Sequence, residues 1–166
     1  EVKKIVMENE DLIYENLVSS KAIISSIKET SKAALHVDLH PHNILIDRKK
    51  AIILDVDSIR SIHIPTFIGF SLYKLARQIL VNNKLDKNFI NYFLSFYDSL
   101  ESSFEKDRLK LEFCLNAGKV EVFRRLNYVI NDNINGNQTW NSVLETQING
   151  LKEIDFLLKE IKEFIE

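Results

Sequence analysis

From about Val2 to Lys32, the apolar residues Ile5, Val6, Leu12, Ile13, Leu17, Ile23, Ile24 and Ile27 recur at helical intervals with Glu and Lys between them. This predicts one long helix or two joined ones. The pattern then changes: Ala33-Ala34-Leu35 leads into a segment where Pro41 removes a backbone donor and disfavours helical geometry at His40, so a loop is expected. Ile44-Leu45-Ile46 and Ala51-Ile52-Ile53-Leu54 are short β-branched runs separated by Asp47-Arg48-Lys49-Lys50, the pattern of an antiparallel hairpin with a solvated turn. Their continuous apolarity predicts a hairpin covered on both faces. Ser58 to Phe67 reads as irregular, because Pro65 argues against a helix interior.

Helical periodicity resumes after Gly69 through Leu72, Leu75, Ala76 and Ile79, and is expected to end near Asn82-Asn83. A further helix is predicted over about Asp86 to Phe104, with Phe89, Ile90, Phe93, Leu94, Phe96, Tyr97 and Leu100 on a broad buried face. Helices are also expected from about Lys106 to Ile130 and from about Trp140 to Ile165, separated by an Asn-rich loop around Gly136. The fold class is therefore mainly α with a small β-hairpin, an α+β chain.

At 166 residues with 45% hydrophobic content, one core over residues 1–166 is expected. The 22 basic and 24 acidic residues are scattered, so neither a nucleic-acid-binding stripe nor a solvating acidic tail is present in the sequence. No apolar run reaches bilayer length and no export signal opens the chain, so no membrane partner is expected. The single cysteine, Cys114, lies between Phe113 and Leu115 and reads as a buried thiol, in keeping with a cytoplasmic location.

The chemistry concentrates between His36 and Asp57. Here His-x-Asp-x-x-x-x-Asn is followed by the predicted hairpin, whose second strand ends in Asp55. A carboxylate on a loop, Asp38, can accept or orient a substrate hydroxyl. An amide oxygen and a carboxylate, Asn43 and Asp55, are hard ligands suited to Mg²⁺. The hairpin explains how these two converge, one preceding its first strand and the other following its second. His36 is expected to act as a framework residue bonded to backbone, and Asp57 as a support beside Asp55.

Other readings compete with this one. His36, Asp38, His40 and His42 alternate, and on a regular strand they would share a face that could suggest zinc and a metallohydrolase. Pro41 spoils that strand, and zinc leaves Asn43 and Asp55 unexplained. The aromatic face from Phe89 to Tyr97 is read as core, Arg124-Arg125 as a solvated helix face, and Glu101, Glu105, Asp107 and Glu112 likewise as solvated.

His36, Asp38, Leu39, His40, Pro41 and Asn43, followed by Leu54, Asp55 and Asp57, resemble the aminoglycoside phosphotransferase and choline kinase-like family of the protein-kinase-like fold. Members often carry His-Gly-Asp-Leu-His-Pro-x-Asn and then an Ile-Asp-Phe-Asp-like strand end. The resemblance implies the helical C-terminal lobe of that fold, with Asp38 as catalytic base, Asn43 and Asp55 as Mg²⁺ ligands, and His36, His40 and Asp57 in support. It further implies transfer of the terminal phosphoryl group of ATP or GTP to the hydroxyl of a small molecule such as an aminoglycoside, a choline-like alcohol or a sugar.

The direct match covers only about His36 to Ser58, and it has departures. Val37 replaces the usual small or basic residue, Val56-Asp57 follows Asp55, and Gly69-Phe70-Ser71-Leu72 stands where an Asp-Leu-Ala-like helix start is usual. The stretch before His36 reads as helix and carries neither a glycine-rich loop nor a strand lysine, so the nucleotide-covering N-terminal lobe is expected to be a missing partner. An incomplete, inactive portion of a phosphotransferase is therefore one expectation, and a pseudokinase or regulatory binding lobe is the alternative.

Overall fold

The computed structural model describes residues 1–48, 50–77, 87–103 and 110–165. The first apolar stretch forms two helices, α1 (Val2–Glu8) and α2 (Glu10–Lys28). They part at Asn9, whose side-chain Nδ2 donates to the Ile5 carbonyl at 2.9 Å while its own carbonyl accepts from Ile13 at 3.0 Å. Glu10 and Asp11 in the first turn of α2 and Lys28 in its last turn complement the helix dipole.

Two strands follow where the sequence pattern was least distinct. Strand β1 (Lys32–His36) pairs antiparallel with β4 (Ile59–His63), in a register that sets Lys32 opposite His63 and His36 opposite Ile59. Between them lie β2 (Ile44–Asp47) and β3 (Lys50–Ile53), the expected hairpin, paired from Ile44 with Ile53 to Asp47 with Lys50. Arg48 takes a left-handed conformation in the tight turn, φ 53°.

The expectation of an irregular segment from Ser58 to Phe67 is corrected on two counts. Its first part is β4, and its second part opens α3 (Ile64–Arg77), where Pro65 occupies the first turn. A missing N–H costs nothing at that position, since the first-turn amides have no intrahelical partner, and the fixed φ of proline suits a helix start. The expected end of this helix near Asn82-Asn83 lies outside the described residues.

The hairpin also departs from expectation. Leu45, Ile46, Ile52 and Ile53 are exposed by 53%, 78%, 52% and 50%, so neither face is covered. Periodicity reports that a strand is apolar on both sides; it carries no information about what lies against it.

Three further helices complete the chain: α4 (Lys87–Ser103), α5 (Leu111–Ile134) and α6 (Leu144–Ile165). On α4, Ile90, Phe93 and Tyr97 are buried and Tyr92 is exposed, so the aromatic face serves the core. Helix α5 continues one turn into the expected Asn-rich loop, which turns instead at Gly136 with φ 85°. Cys114 is buried, as expected. Among the described residues no helix is long and apolar enough to cross a membrane.

The main core gathers Ile68, Leu72, Leu115, Val122, Leu151, Ile154 and Leu157 from α3, α5 and α6. Helices α3 and α5 meet at Gly69 and Gly118. A Cβ on Gly69 would lie 1.7 Å from the Cys114 carbonyl oxygen, and one on Gly118 would lie 2.7 Å from the carbonyl carbon of Gly69. The two backbones are thus in contact, and the obstacle to any side chain is main chain, which cannot swing aside. Gly69→Ala is expected to lower the unfolding free energy by about 3 kcal/mol or more. Urea denaturation checks this, with Gly150→Ala as the milder comparison because its new methyl meets the Tyr73 side chain and no backbone atom.

Candidate functional site

Strand β1 delivers His36 to the interior, where the ring is buried and its Nε2 lies 2.8 Å from the Leu54 carbonyl. A carbonyl can only accept, so Nε2 carries the hydrogen. This bond ties the start of the loop to the end of the hairpin. The next residue, Val37, donates its amide to the Ser58 carbonyl at 3.0 Å, which continues the pairing of β1 with the chain entering β4.

A single 3₁₀ turn at Pro41–Asn43 then returns the chain, closed by the Asn43 amide on the His40 carbonyl at 2.9 Å. Asn43 stands at the open end of the hairpin and accepts the Leu54 amide through its carbonyl at 2.9 Å. It therefore faces Leu54, and Asp55 is one residue beyond. The Asn43 side-chain Nδ2 donates to the Asp38 backbone carbonyl at 3.0 Å. That partner fixes which way the amide is turned and leaves Oδ1 as an acceptor with no bond to a described residue.

Asp55 occupies the left-handed region, φ 56° and ψ 53°, which only a few residue types besides glycine tolerate. The Ser58 hydroxyl donates to its Oδ2 at 2.7 Å, and the Ser58 amide donates to its backbone carbonyl at 3.0 Å. The brace on Asp55 is therefore Ser58. Asp57 sits exposed in the same turn, with no bond to Asp55.

The Asp38 carboxylate faces three cationic or titratable groups from three parts of the chain. Arg125 Nη2 on α5 lies 3.1 Å from its Oδ1, Lys74 Nζ on α3 lies 3.4 Å from the same oxygen, and His40 Nε2 lies 3.5 Å from Oδ2. Burial alone would raise the pKa of this carboxyl, but Arg125, Lys74 and His40 together outweigh it and hold the pKa below the ordinary range. For Lys74, burial acts in the other direction and lowers its pKa despite the attraction of Asp38. His40 is likewise pushed down, by burial first and by the positive charge of Lys74.

Arg125 is the hinge of a larger charge cluster. Its Nε donates to Glu121 Oε1 at 3.0 Å, and its guanidinium lies 4.6 Å from the Phe70 ring centroid, where Lys74 also sits at 5.8 Å. Glu121 is 2% exposed and accepts as well from Arg60 at 2.5 Å and from Arg124 at 2.8 and 2.9 Å. The sequence reading of Arg124-Arg125 as a solvated face is corrected for Arg125, whose guanidinium turns in toward Asp38 and Glu121; Arg124 is exposed, as expected, while it bonds the same buried carboxylate.

The fit to a divalent cation is chemical. Asn43 offers a free amide oxygen and Asp55 a carboxylate held at one oxygen, a donor pair suited to Mg²⁺, which commonly keeps several water or phosphate ligands. The zinc reading has no ligand set: among the described residues no group of three or more His, Cys, Asp or Glu could hold a metal ion. The 3₁₀ turn breaks the strand on which the alternating histidines would have aligned, and His36 is buried with its Nε2 bonded to Leu54.

No family model, curated protein or solved structure matches this chain.

Lys74, Arg125 and Ser58 were not singled out as site residues from the sequence. Arg125 was detectable in principle: it lies about two turns beyond Gly118 and beside the core positions Val122 and Leu126, where an arginine needs a buried counter-charge. Because the folded-state pKa of Asp38 lies below its unfolded value, its charge contributes stability that is fully present above about pH 4 and is lost as pH falls through the depressed pKa. Arg125→Met removes the largest of the opposing attractions. We expect the Asp38 carboxyl carbon to titrate at higher pH in that variant by NMR, and the part of the acid-induced loss of stability that Asp38 contributes to become smaller, because its folded and unfolded pKa values move closer together.

Proposed function

We propose that this chain is the helical C-terminal lobe of a kinase-like phosphotransferase, which passes the terminal phosphoryl group of ATP or GTP to a hydroxyl of a small molecule. The observation that carries the reading is the bond from the Asn43 side-chain amide to the Asp38 backbone carbonyl. It locks a candidate base and a candidate metal ligand into one loop, while the His36 bond to Leu54 holds that loop against Asp55. Phosphoryl transfer asks a protein mainly for positioning and charge neutralisation, and this arrangement serves both needs.

Asp38, kept ionised by its cationic neighbours, can accept a hydrogen bond from an acceptor hydroxyl and orient it for in-line attack. Lys74 and Arg125 fix the carboxylate through one oxygen and leave Oδ2 beside His40. Asn43 and Asp55 would hold Mg²⁺, which neutralises the nucleotide phosphates when bound. A separate nucleotide-covering lobe would complete the site.

A second reading has its own observation. The double engagement of Asp38 Oδ1 by Arg125 and Lys74 suits a structural anchor, as in a non-catalytic binding or regulatory lobe.

The two readings part in one experiment on the intact protein that contains this chain. Transfer of labelled phosphate from Mg·ATP or Mg·GTP is screened across hydroxyl acceptors. On the catalytic reading, Asp38→Asn lowers turnover by roughly 10²- to 10⁴-fold with nucleotide affinity little changed, whereas Asp55→Ala weakens Mg-nucleotide binding. Near-normal turnover in the Asp38 variant would leave only the anchor.

A further inference from the structure

A cavity of about 410 Å³ opens between the C-terminal end of α2, strand β4 and helix α5, apart from the Asp38 loop. That volume is within the range of small-molecule sites, roughly 300 to 1,000 Å³. Its walls are aliphatic: Ile24 and Ile27 from α2, Ile62 from β4 and Val120 from α5. Its charged residues are of nearly one sign. Lys28, Lys32, Arg60 and Arg124 line it, against Glu121 as the one acidic lining residue.

Glu121 does not neutralise this surplus. Its single carboxylate already accepts from Arg60, Arg124 and Arg125, so one negative charge is shared among three guanidiniums. Lys28 and Lys32 are exposed and form no ion pair with a described residue. The space thus combines apolar walls with a surplus of positive charge at its rim, a setting that favours an anion.

The geometry points to a binding site for a small amphiphilic anion, a carboxylate or phosphate monoester carrying a compact alkyl body. The alkyl part lies against Ile24, Ile27, Ile62 and Val120, and the anionic head meets the basic side chains. Glu121 and Arg125 connect the wall of this cavity to Asp38 by hydrogen bonds.

Calorimetric titration with sodium octanoate tests this, with octyl phosphate, inorganic phosphate and 1-octanol as parallel arms. Saturable octanoate binding is expected, weakened by added salt, with octyl phosphate binding at least as well. Inorganic phosphate, which lacks the alkyl body, and octanol, which lacks the charge, should each bind about tenfold more weakly or worse. Val120→Trp, which fills the cavity, and the surface double variant Lys28→Glu/Lys32→Glu should each reduce octanoate affinity by about tenfold or more. Circular dichroism confirms that the variants are folded, and the lysine pair keeps the test open if the cavity-filling variant is not. Octanol binding as tightly as octanoate, phosphate alone binding as tightly, unchanged affinity in the folded variants, or no saturable binding at millimolar octanoate would each overturn the proposal.

Discussion

Gly69 and Gly118 let the backbones of α3 and α5 touch, and the placement of the charged site follows from that contact. Phe70 follows Gly69 and is buried beneath both Lys74 and Arg125. Arg125 lies about two helical turns beyond Gly118, on the side of α5 that faces the loop. Were the helices separated by the width of even one methyl group, Lys74 on α3 and Arg125 on α5 would not both keep their present distances to the same Asp38 oxygen. A packing constraint in the core therefore sets an electrostatic property at the surface of the site.

From that crossing a continuous path of charge runs through the molecule. Asp38 binds Arg125, Arg125 binds Glu121, and Glu121 binds Arg60 on β4 and Arg124 on its own helix. Glu121 is the buried member of this array, and removing the cations around it would leave its charge desolvated and uncompensated. The array spans α3, α5, β4 and the loop after β1, and so links the hairpin side of the chain to its helical body. It also separates two regions of different character: the oxygen donors of Asn43 and Asp55 on one side, and the basic cavity beside α2 on the other.

The long helices were legible because their apolar positions repeat over several turns. The hairpin was legible because a charged turn divides two β-branched runs. Strands β1 and β4 were not: Lys32–His36 and Ile59–His63 are five residues each, and their pairing is between segments far apart in sequence, which local pattern does not report. Pro65 misled because proline marks both a break and a beginning, and only the strand before it decides which. At the site, Asp38, Asn43 and Asp55 could be nominated from spacing, since one loop and one hairpin bring them near. Arg125 and Lys74 reach Asp38 only through tertiary packing, and the apolar strands gave no sign that their hairpin would stand uncovered.

The central claim is that the loop after β1 and the end of β3 form one oxygen-donor site for a divalent cation. Paramagnetic line broadening by Mn²⁺, followed residue by residue in the NMR spectrum of this chain, tests it most directly. The account predicts that low Mn²⁺ broadens the Asn43 side-chain amide and the Asp55 and Ser58 backbone amides first, and that Asp55→Ala abolishes this effect. Broadening confined to other carboxylates, or unchanged in the Asp55 variant, would contradict it.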